Sequence, residues 1–438
     1  MGIALSKPRA MMLFSPRGSL RGTARVPGDK SISHRALMLA ALAVGRSRIE
    51  GLNDGSDLAS TRAALQAMGA RIATEAKGAC TVDGVGVGGL LQPAAPFDCG
   101  NSGTSARLLM GLVASHPICA EFAGDASLMR RPMGRVAAPL RRIGARIGGD
   151  RLPLAVEGTY PAIPTCHVLD IPSAQVKSAL LLAALNTPGL TEIVEAAPTR
   201  DHLERLLFQF GAGIESGDGR IALRGEAKLE PQHLVIAGDC SAAAFLAVAA
   251  LIVPGSDILI PGVGVNPTRT GLFDMLREMG ADIILVNRRE HSSEPVADMI
   301  VRHSALTGIA VPPEIAPRMI DEYPILFVAA AFARGTTRAY GLAELRLKES
   351  DRIAGMAAGL RAIGVRVEEQ GDALAVHGQG GGPLPGGAAI DPGLDHRLAM
   401  SFAVAGLHAR LAIEVANMAI VDTSFPGFLS ALGALAPA

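Results

Sequence analysis

The chain has no excess charge of either sign. Over 438 residues, 41 Lys and Arg balance 41 Asp and Glu. Nucleic-acid binders usually carry a net or clustered basic excess, so the balance argues against one. No apolar run reaches the roughly 18 residues that a membrane span needs. The longest candidates, "SAAAFLAVAALIVPG" and "YPILFVAAAFARG", stop early at Gly or Pro. The opening "MGIALSKPRAMMLFSPRG" lacks the charge, apolar core and small-residue order of a signal peptide. Cysteine is sparse and odd in number: Cys80, Cys99, Cys119, Cys166 and Cys240 form no C-x-x-C pair. That argues against a disulfide framework or a zinc site. Cys119, within apolar "PICAEF", reads as a core thiol. The histidines show no H-E-x-x-H or other metal spacing, so neither metal nor cofactor is expected. Together these absences point to a soluble cytoplasmic protein without a membrane or nucleic-acid partner.

What remains is apolar and repetitive. Apolar residues make up 49% of the chain and charged ones 19%, which predicts generous cores. At this length two domains of about 200 residues are the default. Segment 27–45, "PGDKSISHRALMLAALAVG", has a polar entry followed by an almost purely apolar run. The same design recurs in "CGNSGTSARLLMGLVAS", "IPSAQVKSALLLAALNTPG", "AGDCSAAAFLAVAALIVPG", "MIDEYPILFVAAAFARG" and "GLDHRLAMSFAVAGLHA". An amphipathic segment follows most copies, among them "STRAALQAMGARI", "DHLERLLFQFGAGI" and "RTGLFDMLREMGADI", each closing near a Gly suited to a helix C-cap. Short β-rich runs such as "TEIVEA" and "DIILVN" lie between them. The chain therefore reads as six copies of a unit of about 70 residues. A helix apolar on all sides belongs in an interior, so two domains of three units each are expected.

The polar entries carry the chemistry. Ser31, Ser33, Asn101, Ser173 and Asp239 suit helix N-caps. Capping does not account for the cations beside them: Lys30 and Arg35, Arg107, Lys177 and Arg397. A cation opposes the dipole at a helix N-terminus, whereas a bound phosphate or carboxylate calls for one. Lysine is scarce, six against 35 arginines, yet three of the six are Lys30, Lys177 and Lys348 in "DKS", "VKS" and "LKES". Where Arg is the default cation, a Lys offers a compact point charge or a titratable amine. Asp321 with Glu322 in "IDEYP" and Glu349 with Asp351 in "LKESDR" are the acid–base candidates. His34 and His396 sit in polar entries as candidate hydrogen-bond donors. The Gly-rich stretches 83–89 and 378–387 read as turns.

A resemblance rests on these residues. "PGDKSISHR", "GNSGTSAR", "GDASLMRRPMGR", "SAQVKSALLLAAL", "TRDH", "IDEYPIL", "LKESDR", "LDHRLAMSF" and "TSFPGF" span 27–428. In that order they resemble the motif series of the 5-enolpyruvylshikimate-3-phosphate synthase family, in its class II bacterial branch. The resemblance implies an α/β fold, a two-domain inside-out barrel of six βαβαββ repeats. One domain would be discontinuous, residues 1–27 plus 239–438. The other would be the insert 28–238, with crossovers near 27–29 and 238–240. It also implies transfer of the enolpyruvyl group of phosphoenolpyruvate to the 5-hydroxyl of shikimate 3-phosphate by addition and elimination, in the shikimate pathway of aromatic amino acid biosynthesis. The small-molecule substrates would be the partners, the protein a monomer, and glyphosate a competitor of phosphoenolpyruvate. Carried over, Lys30, Ser31, Arg35, Ser173, Ala174, Gln175, Asp321 and Lys348 would hold shikimate 3-phosphate. Lys30, Gly103, Arg131, Gln175, Lys348, Arg352 and Arg397 would hold phosphoenolpyruvate. Asp321 would be the base on the 5-hydroxyl, and Glu349 would handle the methylene proton with help from Lys30 or Lys348. Two departures stand out: Thr423 where many members have Lys, and Ser127 where many have Arg, whose role passes to Arg131. The alternatives are an enolpyruvyl transferase acting on UDP-N-acetylglucosamine, which carries a reactive Cys in a mobile loop, and a non-catalytic phosphometabolite-binding protein.

Overall fold

The computed structural model describes residues 10–75 and 78–435. The outer limits of the expected discontinuous domain, 1–9 and 436–438, lie outside the described residues. All six polar-entry segments form helices: α1 (Lys30–Leu42), α2 (Gly103–Ala114), α3 (Ala174–Ala184), α4 (Cys240–Ile252), α5 (Tyr323–Phe332) and α6 (His396–Gly406). Their low polarity explains their place, since a helix without a polar face has nothing to show to water. Every residue of α4 and of α5 is buried. Each Leu, Ile, Val or Phe so placed contributes about 1.5–3 kcal/mol.

The amphipathic segments form a second set of helices: Ser56–Ala67, Gly134–Arg142, His202–Gln209, Gly271–Glu278, Arg352–Ala362 and Phe428–Ala434. Gly69, Gly144, Gly211, Gly280 and Gly364, each just past one of the first five, take a left-handed φ. Glycine adopts it without a Cβ penalty, which is how these helices end.

Five sheets share one topology. In the second unit, Phe97–Asp98 runs parallel to Cys119–Ala123, which pairs antiparallel with Leu154–Glu157, itself antiparallel to Arg146–Ile147. The order is βαβαββ, and it recurs in the other four-stranded sheets. The sixth unit departs: Met11–Phe14 pairs with Ile413–Ala416, and Leu384–Gly386 with Ala409–Leu411 in a separate ribbon.

Two strands are supplied from afar. Arg21–Thr23 runs parallel to Asp257–Gly264, and His233–Val235 runs parallel to Val44–Glu50. The buried side chains fall into two cores. One is built on α1, α2 and α3 with residues between Ile32 and Ala237, plus Val296. The other is built on α4, α5 and α6, with Phe14, Leu20 and Ala24 from the N-terminal strands. Two chain segments pass between them side by side. The Asp29 amide donates to the Ala237 carbonyl at 2.7 Å, and the Asp239 amide donates to the Pro27 carbonyl at 2.8 Å. No helix among the described residues is long and apolar enough to cross a membrane.

Candidate active site

The helix starts converge on one cavity of about 390 Å³. Lys30, Ser31 and Arg35 of α1 face it, as do Gly103, Thr104 and Arg107 of α2, and Ser173, Ala174 and Gln175 at α3. From the other core come Asp239 and Ser241 at α4, Asp321 before α5, Lys348 and Glu349, and His396 and Arg397 of α6. Nine Lys or Arg and five carboxylates line it in all.

The α1 cap lies two residues upstream of Ser31, and the α2 cap lies one residue downstream of Asn101. Asp29 caps α1, accepting from the Ile32 amide at 3.0 Å, and Ser102 caps α2, accepting from the Ser105 amide at 3.0 Å. Ser173 and Asp239 cap α3 and α4 as expected. Ser31 lies in the first turn and faces the cavity, Ser33 accepts from the Asn53 amide, and Asn101 donates to Asp125. Because α1 begins two residues early, its Lys30 and Ser31 turn toward the cavity and away from capping.

The floor is a network of charges. The guanidinium of Arg200 donates to Asp321 at 2.6 Å, and the Lys348 amine lies 3.4 Å from the same carboxylate. Burial alone would raise the Asp321 carboxyl. Lys348, Arg200, Arg397 and Arg352 outweigh it and hold the group well below the usual carboxylate range. Glu349 is treated the same way: burial raises it, but Arg352, Arg131, His396 and Lys348 hold it well below its ordinary value. Arg131 reaches Glu349 at 3.5 Å and Asn101 at 2.6 Å. Burial lowers the Lys348 amine, with Asp321 opposing that shift. Burial, with Lys30 and Arg397 nearby, keeps the His396 imidazole well below its ordinary value.

Several placements differ from the sequence reading. Arg352 stands behind the wall, 1% exposed, donating to Asp395 at 2.9 Å, to Asp321 at 3.3 Å and to Glu349. Lys177 points away from the cavity into the core, paired with Glu195 at 2.9 Å and Glu204 at 2.6 Å. Cys119 is exposed, because it sits at an outward position of its strand. Thr423 donates its hydroxyl to the Ile420 carbonyl and does not line the cavity. Ser127 donates to the Glu349 carbonyl at 2.8 Å and accepts from Arg131 at 3.2 Å, so it braces Arg131 against Glu349. Arg107, one of the entry cations, lines the cavity as expected, and Arg200 joins it without having been expected there. Arg107 donates to Gln175 at 2.8 Å. Arg200 lies in "TRDH", where the motif alone gave no role, and only the tertiary pairing with Asp321 shows one.

Five βαβαββ units and a sixth that departs from them, in two cores with a cation-rich cleft between their helix starts, define the enolpyruvyl transferase class of fold. An enolpyruvyl transferase from Streptomyces tendae, NikO, superposes with a TM-score of 0.78 over 98% of both chains at 20% identity, a likeness of fold alone. The EPSP synthase from Acinetobacter baumannii superposes with a TM-score of 0.86 at 40% identity, covering 97% of this chain and 98% of that one. The family model for EPSP synthase (3-phosphoshikimate 1-carboxyvinyltransferase) matches residues 14–432. A 3-phosphoshikimate 1-carboxyvinyltransferase from Sphingopyxis alaskensis is 58% identical over 434 residues, 96% of this chain and 97% of that protein. One from Novosphingobium aromaticivorans is 56% identical over 430 residues, 96% and 98% of the two chains. The chain belongs to the EPSP synthase family.

Proposed function

We propose that this protein transfers the 1-carboxyvinyl group of phosphoenolpyruvate to the 5-hydroxyl of shikimate 3-phosphate, releasing phosphate. The observation that carries the reading is the cleft itself: helix starts and nine cations meet two half-buried carboxylates held ionised. Two phosphates and two carboxylates enter with the substrates, and helix N-termini with Lys and Arg are built for such anions.

In this reading Arg35, Ser31, Ser173 and Gln175 hold shikimate 3-phosphate on the α1–α3 side. Arg131, Lys348 and Arg397 grip phosphoenolpyruvate, and Lys30 reaches both substrates. Asp321, ionised, takes the proton from the 5-hydroxyl as oxygen attacks C2 of phosphoenolpyruvate. The methylene carbon gains a proton in the same step, giving a tetrahedral ketal. Elimination returns a proton from the new methyl group and expels phosphate. Glu349 serves the carbon side. While it is ionised it can take the proton back in elimination. To donate in addition it must be protonated, and anionic ligands favour that by engaging Arg131 and Lys348, two of the cations that hold it down. Arg352 orders Asp321 and Glu349 from behind.

The two cores act as domains that close on the substrates, hinged at 27–29 and 238–240. No cysteine lines the cavity among the described residues, which separates this site from the transferase with a reactive loop thiol. The deciding assay is phosphate release from phosphoenolpyruvate with shikimate 3-phosphate or with UDP-N-acetylglucosamine as acceptor. Release with the first alone is expected. Release only with the second overturns the reading.

A further inference from the structure

The tripeptide Arg200–Asp201–His202 makes three consecutive contacts from one core to the other. Arg200 meets Asp321 at the cavity floor. Asp201 accepts from Asn266 at 2.6 Å. His202, 2% exposed, places Nδ1 2.6 Å from Glu294 Oε1, and its Nε2 lies 3.5 Å from Arg269 Nη1. Asn266 also donates to the second Glu294 oxygen at 3.0 Å, so that carboxylate is fixed on both sides.

These partners dictate the tautomer. A carboxylate only accepts and a guanidinium only donates. A neutral imidazole satisfies both by carrying its proton on Nδ1 and offering the Nε2 lone pair to Arg269. Arg269 in turn touches both crossover segments. It donates to Asp29, the cap of α1, at 3.2 Å and to Ser241 at 2.7 Å, and it lies 4.0 Å from Asp239, the cap of α4. Asp29 precedes Lys30, and Arg269 itself lines the cavity.

We infer that His202 is a positioning residue. Held by Glu294, it sets the Arg269 guanidinium that joins the two crossover caps, and through them it sets Lys30 and the geometry of closure. This rests on the two-substrate reading above. Shikimate 3-phosphate shares Lys30 but is otherwise held mainly by residues of one core, so its binding is affected less than that of phosphoenolpyruvate. Phosphoenolpyruvate needs both cores together and feels the loss.

The test compares His202→Gln with His202→Asn in the full chain. The Gln oxygen stands near the Nε2 position and accepts from Arg269, whereas Asn keeps only the bond to Glu294. His202→Asn is expected to raise the phosphoenolpyruvate KM by about threefold to tenfold, at most the weight of one hydrogen bond to a charged group, because the contact is long at 3.5 Å. Its shikimate 3-phosphate Kd should change less than that KM, and its melting temperature should stay near that of His202→Gln, which remains close to wild type. Equal behaviour of the two variants, or the reverse order, overturns the inference. Failure of the wild type to turn over the two substrates overturns the reading instead. ¹⁵N-histidine NMR then still decides the relay: a His202 ring protonated on Nδ1 alone is expected, and protonation on Nε2 alone removes the acceptor for Arg269 and with it the inference.

Discussion

At the scale of the residue, the site works through cations that keep carboxylates charged. Glu349→Gln and Asp321→Asn keep size and shape but lose the base. Each is expected to cut kcat by about 10² to 10⁴-fold, the usual weight of a general acid or base, with substrate binding largely kept by titration calorimetry. Near-wild-type turnover in both would remove them from the mechanism. Lys348 gives the pH dependence. Its amine titrates below the ordinary 10.5 because burial disfavours the charged form. As pH rises the amine loses its proton early, and with it the charge that faces Asp321 and the incoming anions. The alkaline fall of kcat/KM should therefore begin below that value. It should move to higher pH in Lys348→Arg, whose guanidinium stays charged. An unmoved limb would assign it to another group. Gly103 has its own constraint: a Cβ there would lie 2.7 Å from an Arg107 nitrogen and 3.2 Å from one of Arg131. Both guanidinium tips must shift, which is tolerable for flexible side chains. Gly103→Ala is expected to fold and to weaken glyphosate more than the smaller phosphoenolpyruvate, read as inhibition constant against KM. Wild-type resistance to glyphosate far above the phosphoenolpyruvate KM would take control of that pocket away from Gly103.

At the scale of the element, much was legible because each pattern has one physical solution. An all-apolar helix has only the interior to go to, and an amphipathic segment ending at Gly has one way to pack and one way to stop. Hence all six buried helices and all six amphipathic ones fall where the sequence places them. The caps were less legible. "GDKS" offers both Asp29 and Ser31 as caps, and the choice depends on the neighbouring crossover, where Asp239 also accepts from the Lys30 amide at 3.1 Å. Lys177 was illegible for a related reason. Its partners Glu195 and Glu204 come from a strand and the next helix, and nothing in "VKS" announces them. Arg200 and Arg352 belong to the same class, since pairings between distant segments decide whether a cation meets ligand or carboxylate. Lys177→Met yields a clear expectation. It leaves two buried carboxylates without their cation, a loss of about 3–5 kcal/mol for breaking a buried pair. Thermal unfolding should show a large drop in Tm, while the folded fraction keeps its kcat. A variant with unchanged Tm would mean that water reaches Glu195 and Glu204.

At the scale of the molecule, one core is threaded into a repeat of the other. The first strand of the fourth unit is Arg21–Thr23, and its first helix, α4, begins only at Cys240. The intervening chain forms the α1–α3 core, so the two segments lie side by side, joined by the Asp29–Ala237 and Asp239–Pro27 hydrogen bonds, and Gly28 between them is closely packed. A Cβ on Gly28 would lie 1.8 Å from the Gly51 carbonyl oxygen. The two cores are expected to move about this junction, with charge as the driving force. With five carboxylates against nine cations, the closed cleft repels itself until anions enter. Of the ion pairs that cross it, Arg135–Glu344 at 2.8 Å is half exposed and contributes little, while Arg200–Asp321 and Arg131–Glu349 are better shielded and offset only part of the repulsion. The unliganded protein should therefore open in solution beyond this structure, and shikimate 3-phosphate, by neutralising cations on the α1–α3 side, should draw it closed. Small-angle scattering is expected to show a smaller radius of gyration at saturating shikimate 3-phosphate, with a larger change at low salt, where repulsion is least screened. An identical radius with and without ligand at both salt concentrations would mean that the cleft is preformed, and that its cations are held together by the protein without help from the substrate.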